Sequence, residues 1–578
     1  MTRLFNNAAA FAEEVLDGFV IANPGRVRRV EGGVVRAVDG APGTVAVIIG
    51  GGSGHYPAFG GLVGTGMAHG AAIGNLFASP SAKQIRSVSR AAENGTGVVF
   101  VFGRYAGDVL NFGQAEQQLT ADGIMCRMVP VTDDISCASP GDGQEQIRLR
   151  RGLAGGLVVI KAAATAAEAG YPLNEVARVA ERANVRTRTI GVAFGGCTLP
   201  GATEPLFTLP PGRMAVGMGV HGEPGVDEQP LPTADDLADT FVRRILADVS
   251  GGPDAVRGTR AAVVLNGLGS VKYEELFVVF RRVAGLLAEL GVTLVEPEIG
   301  EFFTSFDMPG LSLTVTWLDK ELESFWRAPA DAPGYRKLTA PTGIRADQRV
   351  TEVAGDEQLP PASETSRRAA KRACAALEAA RAVIDSRTDE LGRMDAIAGD
   401  GDHGIGMQRG ITAAAADAER SVHLGAGLGT TLRRAADAWA DRAGGTSGAL
   451  WGAALYAAGG VLGDEAAPDT AAMAAAVLAA EVAVRGLGHA EPGDKTLVDA
   501  LVPFRTALQG TAAAGTPLSP AWMSAAATAK EAATATAQLE PRVGRARTHS
   551  RRSLGTPDPG AVSLALVVQA IGTVLADG

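Results

Sequence analysis

The chain has 578 residues, 46% of them hydrophobic and 20% charged, a globular composition that excludes a disordered tail or a coiled coil and is too long for one core. Its net charge of −10 repels a phosphate backbone, so nucleic acid is not an expected partner. Four cysteines, Cys126, Cys137, Cys197 and Cys374, show no C-x-x-C or zinc-type spacing and are expected as reduced core thiols.

In chain order, "MTRLFNNAAAFAEEVLDGFV" is amphipathic and acidic and lacks the basic start and apolar block of an export signal. No run reaches the ~18 uninterrupted apolar residues expected of a membrane span, so no membrane partner is expected and the cytoplasm is the expected location. "TVAVIIGG" reads as a strand, "SAKQIRSVSRAAENG" as a helix, "GVVFVFG" as a strand and "GDVLNFGQAEQQLTADG" as a helix. That alternation predicts a parallel sheet with helices on its faces. A second α/β lobe is expected from a break near residue 190, with strands in "RTRTIGVAF", "RAAVVLNGLG" and "GLSLTVTWLD" and the helix "YEELFVVFRRVAGLLAELG". Together the two lobes are expected to fill residues 1–330.

Three loops of this half carry reactive side chains. Gly52-Ser53-Gly54 is followed by His55, Tyr56 and Pro57, so the third glycine of a dinucleotide fingerprint is missing, and no Lys-Ser/Thr completes a phosphate loop. A strand end in an open α/β sheet binds ligands through free backbone N–H groups, yet a structural turn with a surface histidine fits the same residues. The next strand leads into Arg104, Tyr105 and Asp108, where a carboxylate can serve as a general base or cap the following helix. "MAVGMGVHGEPGV" sets His221 among glycines, a place where a lone histidine is more often a satisfied core residue. His55, Asp108 and His221 on three small-residue loops point together to a site.

From Trp326 to about Ser363 the text turns rich in Pro, Asp and Gly, and residues 331–363 are expected as a linker. Beyond it, Ala369, Cys374, Leu377, Ala380 and Ile384 recur at helical spacing, and residues 364–578 are predicted all-α. In "MDAIAGDGDHGIGMQRG" glycines break the helix, so that Asp395, Asp400 and Asp402 can converge on one cation. Position twelve counted from Asp400 is Ile411, which excludes an EF-hand. Carboxylates with few other protein ligands suit magnesium, which completes its octahedron from water and phosphate oxygens. The loops "AGGTSGALWG", "GLGHAEPGDKTLVDAL" and "VGRARTHSRRSLGTPDPGA" could hold a nucleotide, the first by aiming helix N-terminal N–H groups at an anion.

The succession GGGSGH, FASPS, GD-x-LNF, RRGLAG, GxHGEPG, GDGDHG, GGTSG, PGD-x-T and DPGA resembles the single-chain, ATP-dependent dihydroxyacetone kinase family over nearly the whole chain. The resemblance implies an α/β two-lobed N-terminal kinase domain that binds a ketose, followed by an all-α helical-barrel nucleotide-binding domain, in a homodimer. It implies that His221 holds the ketone as a hemiaminal, His55 hydrogen-bonds it and Asp108 deprotonates the reacting hydroxyl, with Gly52, Ser53 and Gly54 lining the pocket. It implies Mg2+ on Asp395, Asp400 and Asp402, and ATP against His403, Gly404, Ile405, Gly406, Thr446, Ser447, Gly488, Leu497, Arg545, Asp558, Pro559 and Gly560. Where the family has Lys-Asn-Tyr-Thr-Gly-Asp, this chain has Gly103-Arg104-Tyr105-Ala106-Gly107-Asp108. Losing a lysine and a threonine opens space, and the pattern is similar to the erythrulose-phosphorylating branch. The expected reaction converts D-erythrulose to D-erythrulose 4-phosphate, with dihydroxyacetone and L-erythrulose as alternatives and a ketose-sensing binding module as the reading from another class.

Overall fold

The computed structural model describes residues 4–577 apart from residues 39, 41, 139–142, 220, 222, 224, 339–358 and 544–551. The chain divides into two compact units, residues 1–346 and 347–578. In the first unit one sheet is built from β1 (Val27–Val30), β2 (Gly33–Arg36), β3 (Ala46–Ser53), β4 (Gly70–Leu76), β5 (Val98–Gly103) and β6 (Cys126–Val131), in the order β1-β2-β4-β3-β5-β6. Strands β3 to β6 are parallel, as the strand and helix alternation predicts, whereas β1 and β2 form an antiparallel edge. Val47, Ile48, Ile49, Val99 and Phe100 are fully buried because helices cover both faces of these strands. Each such side chain contributes about 1.5–3 kcal/mol of burial. The chain leaves β3 for β4 on one side and then crosses to β5 on the other, so the carboxyl ends of β3 and β5 form a topological switch point.

The second sheet contains β7 (Thr187–Ala193), β8 (Arg213–Val216), β9 (Asp227–Pro230), β10 (Arg260–Gly267), β11 (Thr293–Leu294), β12 (Glu298–Gly300) and β13 (Gly310–Leu318). It runs β11-β10-β13-β7-β8-β9, with β12 also paired to β10. Here β10, β13, β7, β8 and β9 pair antiparallel, so this lobe is a mixed sheet. The unit extends past the stretch expected to begin the linker. Trp326 lies buried in the helix Lys320–Arg327, and β14 (Ala330–Ala332) pairs with β15 (Tyr335–Lys337), placing Ala332 and Tyr335 in the core of the first sheet. Cys126 and Cys197 are buried thiols, but Cys137 is exposed, contrary to the expectation for it.

In the second unit, the helices Glu364–Asp395, His403–His423, Leu428–Ala443, Gly445–Leu462, Thr470–Gly488, Val498–Ala513, Leu518–Ala535 and Pro559–Ala576 each pack on the next, and the last packs on the first. The ring encloses a core of Leu377, Ile384, Trp439, Trp451, Phe504 and Trp522, with the Trp439 and Trp451 rings stacked at 4.8 Å. Short turns make successive helices alternate in direction. His403 therefore meets Ser447 and Ser563, all three near helix starts, at one end of the ring. At the other end the Leu428 N–H donates to Ser366 Oγ and the Ser363 N–H to Asp464 O. Thr470–Gly488 and Pro559–Ala576 are long and apolar enough to cross a membrane by length and composition alone. Both instead give one face to this core through Val477, Val484, Leu564 and Val568.

Candidate active site

The strand β3 ends in glycines because its neighbours leave no room for a side chain. A Cβ on Gly51 would lie 2.2 Å from the Phe59 ring, and one on Gly52 would lie 2.6 Å from the Ala78 nitrogen. The pairing of β3 with β4 shifts register at Gly52 and Ser53, where β4 skips Asn75, and the chain then turns to bring His55 to the switch point. Gly54 adopts φ +102°, and a Cβ there would meet the Phe306 ring at 2.4 Å. The Ser53 hydroxyl donates to Gly74 O at 2.7 Å. Ser53 and Gly54, expected in the pocket, thus shape the turn, while Gly50, Gly51 and Gly52 line the cavity beside it.

That cavity, about 40 Å³, is bounded by His55, Tyr105, Asp108, His221, Phe59, Phe303 and a wall of glycines that includes Gly103, Gly152 and Gly156. It matches a small molecule and excludes a nucleotide, and no Lys or Arg is among its lining residues. The three predicted side chains converge here from 166 residues of separation: His55 Nε2 lies 3.1 Å from His221 Nε2. His55 Nδ1 donates to Thr304 O at 2.8 Å, since a carbonyl only accepts. Phe77 stacks on His55 with ring centroids 4.9 Å apart, and Tyr105 meets His221 edge-on at 4.7 Å. Phe77 and Phe306 take left-handed φ of 52° and 51°, conformations that cost about 1–3 kcal/mol each and are held by this packing.

Burial, with the charge of His221 adding to it, lowers the His55 pKa to about 3 and keeps the ring neutral. Asp108 is the third residue of the helix Ala106–Ala121, whose cap position is Tyr105, so capping is not its role. Burial pushes its carboxyl up to about 6, against the opposing hydrogen bond from Ser79. Its Oδ1 is buried and has no hydrogen-bond partner among the described residues, leaving an acceptor beside the cavity. Glu223 escaped the sequence reading. Its Oε1 accepts from His221 Nδ1 at 3.0 Å and its Oε2 accepts the His221 backbone N–H at 3.0 Å. Its only sequence signal is its place two residues after a glycine-flanked histidine.

In the helical unit Asp395 closes the first helix, and Asp400 and Asp402 follow in the turn. Their carboxylate oxygens lie within 4.8 Å of one another. The Gly401 N–H donates to Asp395 Oδ2 at 2.8 Å, and a Cβ on Gly399 would sit 2.3 Å from Asp395 Oδ1, so the glycines permit the fold-back. Such an all-oxygen donor set fits Mg2+. His403, Gly404, Ile405 and Gly406 form the first turn of the next helix, and burial lowers the His403 pKa. Thr446 and Ser447 open Gly445–Leu462, Gly488 ends Thr470–Gly488, and Leu497 caps Val498–Ala513. Asp558 caps Pro559–Ala576 by accepting the Ala561 N–H at 2.7 Å, and Gly560 lies against Leu497. Burial, reinforced by Asp499, pushes Asp558 up to about 7. Arg545 lies outside the described residues.

Residues 17–334 match the Dak1 domain and residues 397–573 the DAK2 domain. The chain is 58% identical to an L-erythrulose kinase of Pectobacterium atrosepticum, over 100% of this chain and 97% of that one. It is 50% identical to a D-erythrulose kinase of Mycolicibacterium smegmatis over 99% and 98%, and 52% identical to an L-erythrulose 1-kinase of the same organism over 99% of each. The dihydroxyacetone kinase of C. freundii, solved also with AMP-PNP and Mg2+, superposes with a TM-score of 0.58 at 29% identity, covering 99% of both chains. The chain therefore belongs to the dihydroxyacetone kinase family.

Proposed function

We propose that this protein is an ATP-dependent kinase that phosphorylates a terminal hydroxyl of erythrulose, held as a hemiaminal on His221. The observation that carries the reading is the convergence of His221 Nε2, His55 and a buried Asp108 on a cavity sized for a small ketone. A covalent bond to an imidazole ties down a substrate too small to be held by area, and it selects a carbonyl compound over a polyol. A carboxyl raised to about 6 is ionised at neutral pH yet basic enough to take the hydroxyl proton. Asp395, Asp400 and Asp402 are the residues that would hold Mg2+, which supplies charge neutralisation at nucleotide phosphates. His403 to Gly406, Thr446, Ser447, Gly488, Leu497 and Asp558 to Gly560, gathered at the same end of what we read as a helical barrel, would surround ATP. That acidic triad favours an enzyme over a ketose-sensing module, which needs no metal. We further propose a cytoplasmic homodimer.

The D-erythrulose expectation competes with L-erythrulose and dihydroxyacetone, and the L enantiomer has the stronger support among the relatives. The relatives named for L-erythrulose are 58% and 52% identical, against 50% for the one named for the D enantiomer. Comparing kcat/KM on D-erythrulose, L-erythrulose and dihydroxyacetone with purified protein and ATP decides among them. A clear preference for dihydroxyacetone would overturn the tetrulose assignment.

A further inference from the structure

His221 sits between two partners that constrain its protons. His55 Nδ1 is committed as a donor to Thr304 O, so its Nε2 presents a lone pair to His221 Nε2 at 3.1 Å. On the opposite edge His221 Nδ1 faces the Glu223 carboxylate at 3.0 Å. With these partners both His221 nitrogens are placed to donate, Nε2 toward His55 and Nδ1 toward the Glu223 carboxylate. The loop is built to keep the pair together. A Cβ on Gly219 would fall 2.0 Å from Glu223 Oε2, so only glycine leaves room for that carboxylate. Gly217 O accepts from Arg151 Nη2 at 3.1 Å and Ser136 Oγ at 3.3 Å, and Arg151 is itself paired with buried Asp134 at 2.8 Å. Burial pushes Glu223 up, but the hydrogen bond and charge of His221 outweigh it and bring the carboxyl down to about 2.

From this geometry, and resting on the covalent reading above, we infer that Glu223 is a positioning residue that keeps His221 Nδ1 protonated, aims Nε2 at the ketone and carries the counter-charge of the adduct. The step balances. The His221 Nε2 proton passes to His55 Nε2, and the freed lone pair forms the bond to the carbonyl carbon. The C=O π pair moves to oxygen, which takes the proton from His55 and becomes a hydroxyl. The ring ends bonded at Nε2 and protonated at Nδ1, a cation beside Glu223. Without that carboxylate the buried adduct would hold an uncompensated positive charge.

The test uses the full-length enzyme with [2-13C]dihydroxyacetone as probe, steady-state kinetics, and 15N NMR of the histidine ring nitrogens. Glu223→Gln is expected to raise the ketose KM by about tenfold or more and deplete the 13C adduct signal, with kcat changed far less, because an uncompensated charge penalises the adduct. In the ligand-free variant the His221 ring nitrogens should shift toward the neutral form, and Glu223→Asp should restore part of the KM. Wild-type KM and adduct in Glu223→Gln would overturn the proposal, as would equal losses in the Gln and Asp variants with unaltered ring-nitrogen signals. An absent adduct in the wild type, matching His221→Ala, would sink the covalent reading instead. The charge pairing would then stand or fall on the ring-nitrogen shifts of the ligand-free protein.

Discussion

Asp108 is a carboxylate that burial keeps basic. With its pKa raised to about 6, the base form dominates above that pH and disappears as pH falls through it. The kcat/KM profile should therefore show an acid limb near 6. His55, neutral down to about 3, adds no second step in that range. Asp108→Asn should lower kcat by roughly 10²–10⁴ and abolish the limb, which a pH-rate series on both proteins would check. An intact limb in the variant would assign it to another group. Asp108 was legible only in company: alone it read equally as a helix cap, and His55 and His221 on two further small-residue loops tipped it toward a site. Glu223 was not, because its role depends on which edge of His221 it faces, and spacing does not encode that. The partner of the Ser53 hydroxyl, Gly74 O across the sheet, is likewise something spacing does not encode.

The elements that matter most are the ends of β3 and β5, where glycines stand in for a pocket wall. Gly103 is such a position, since a Cβ there would sit 3.1 Å from the Tyr105 ring. Gly103→Lys should crowd the cavity and lower kcat/KM for erythrulose relative to dihydroxyacetone by about tenfold, the scale of a methylene-sized change in a fitted pocket. A ratio that stays put would place the selectivity elsewhere. Alternation of strand and helix revealed the parallel strands β3 to β6. It could not reveal that β10, β13 and β7 run antiparallel, because apolar patterning records burial and not direction. The β14 and β15 hairpin hid behind proline, aspartate and glycine, although Trp326 beside it is almost wholly buried.

At the level of the whole molecule, each unit carries its own hydrophobic core, and each candidate site belongs to one of them. Calorimetry should resolve two unfolding steps. A ketose should raise the step of the first unit and Mg2+ with AMP-PNP that of the second, by about 2.7 kcal/mol at a hundredfold excess over Kd. A single transition shifted by either ligand would show that the units unfold as one. Asp395→Asn should remove the Mg2+-dependent part of the second shift.

The alternating ring of helices has one more consequence, for chain connectivity. Among the described residues, the turns that carry the candidate nucleotide residues fall at one mouth, while Leu424 to Gly427, Gly463 to Asp469 and Ala514 to Pro517 join helices at the other. Segment length at the first mouth is therefore set by the site, whereas at the opposite end Asp464 ties the joints together by bonding the Ser363 N–H and Thr430. An insertion or fused tag is better tolerated away from Asp464, between Ala514 and Pro517, nearly the full length of a helix from the acids.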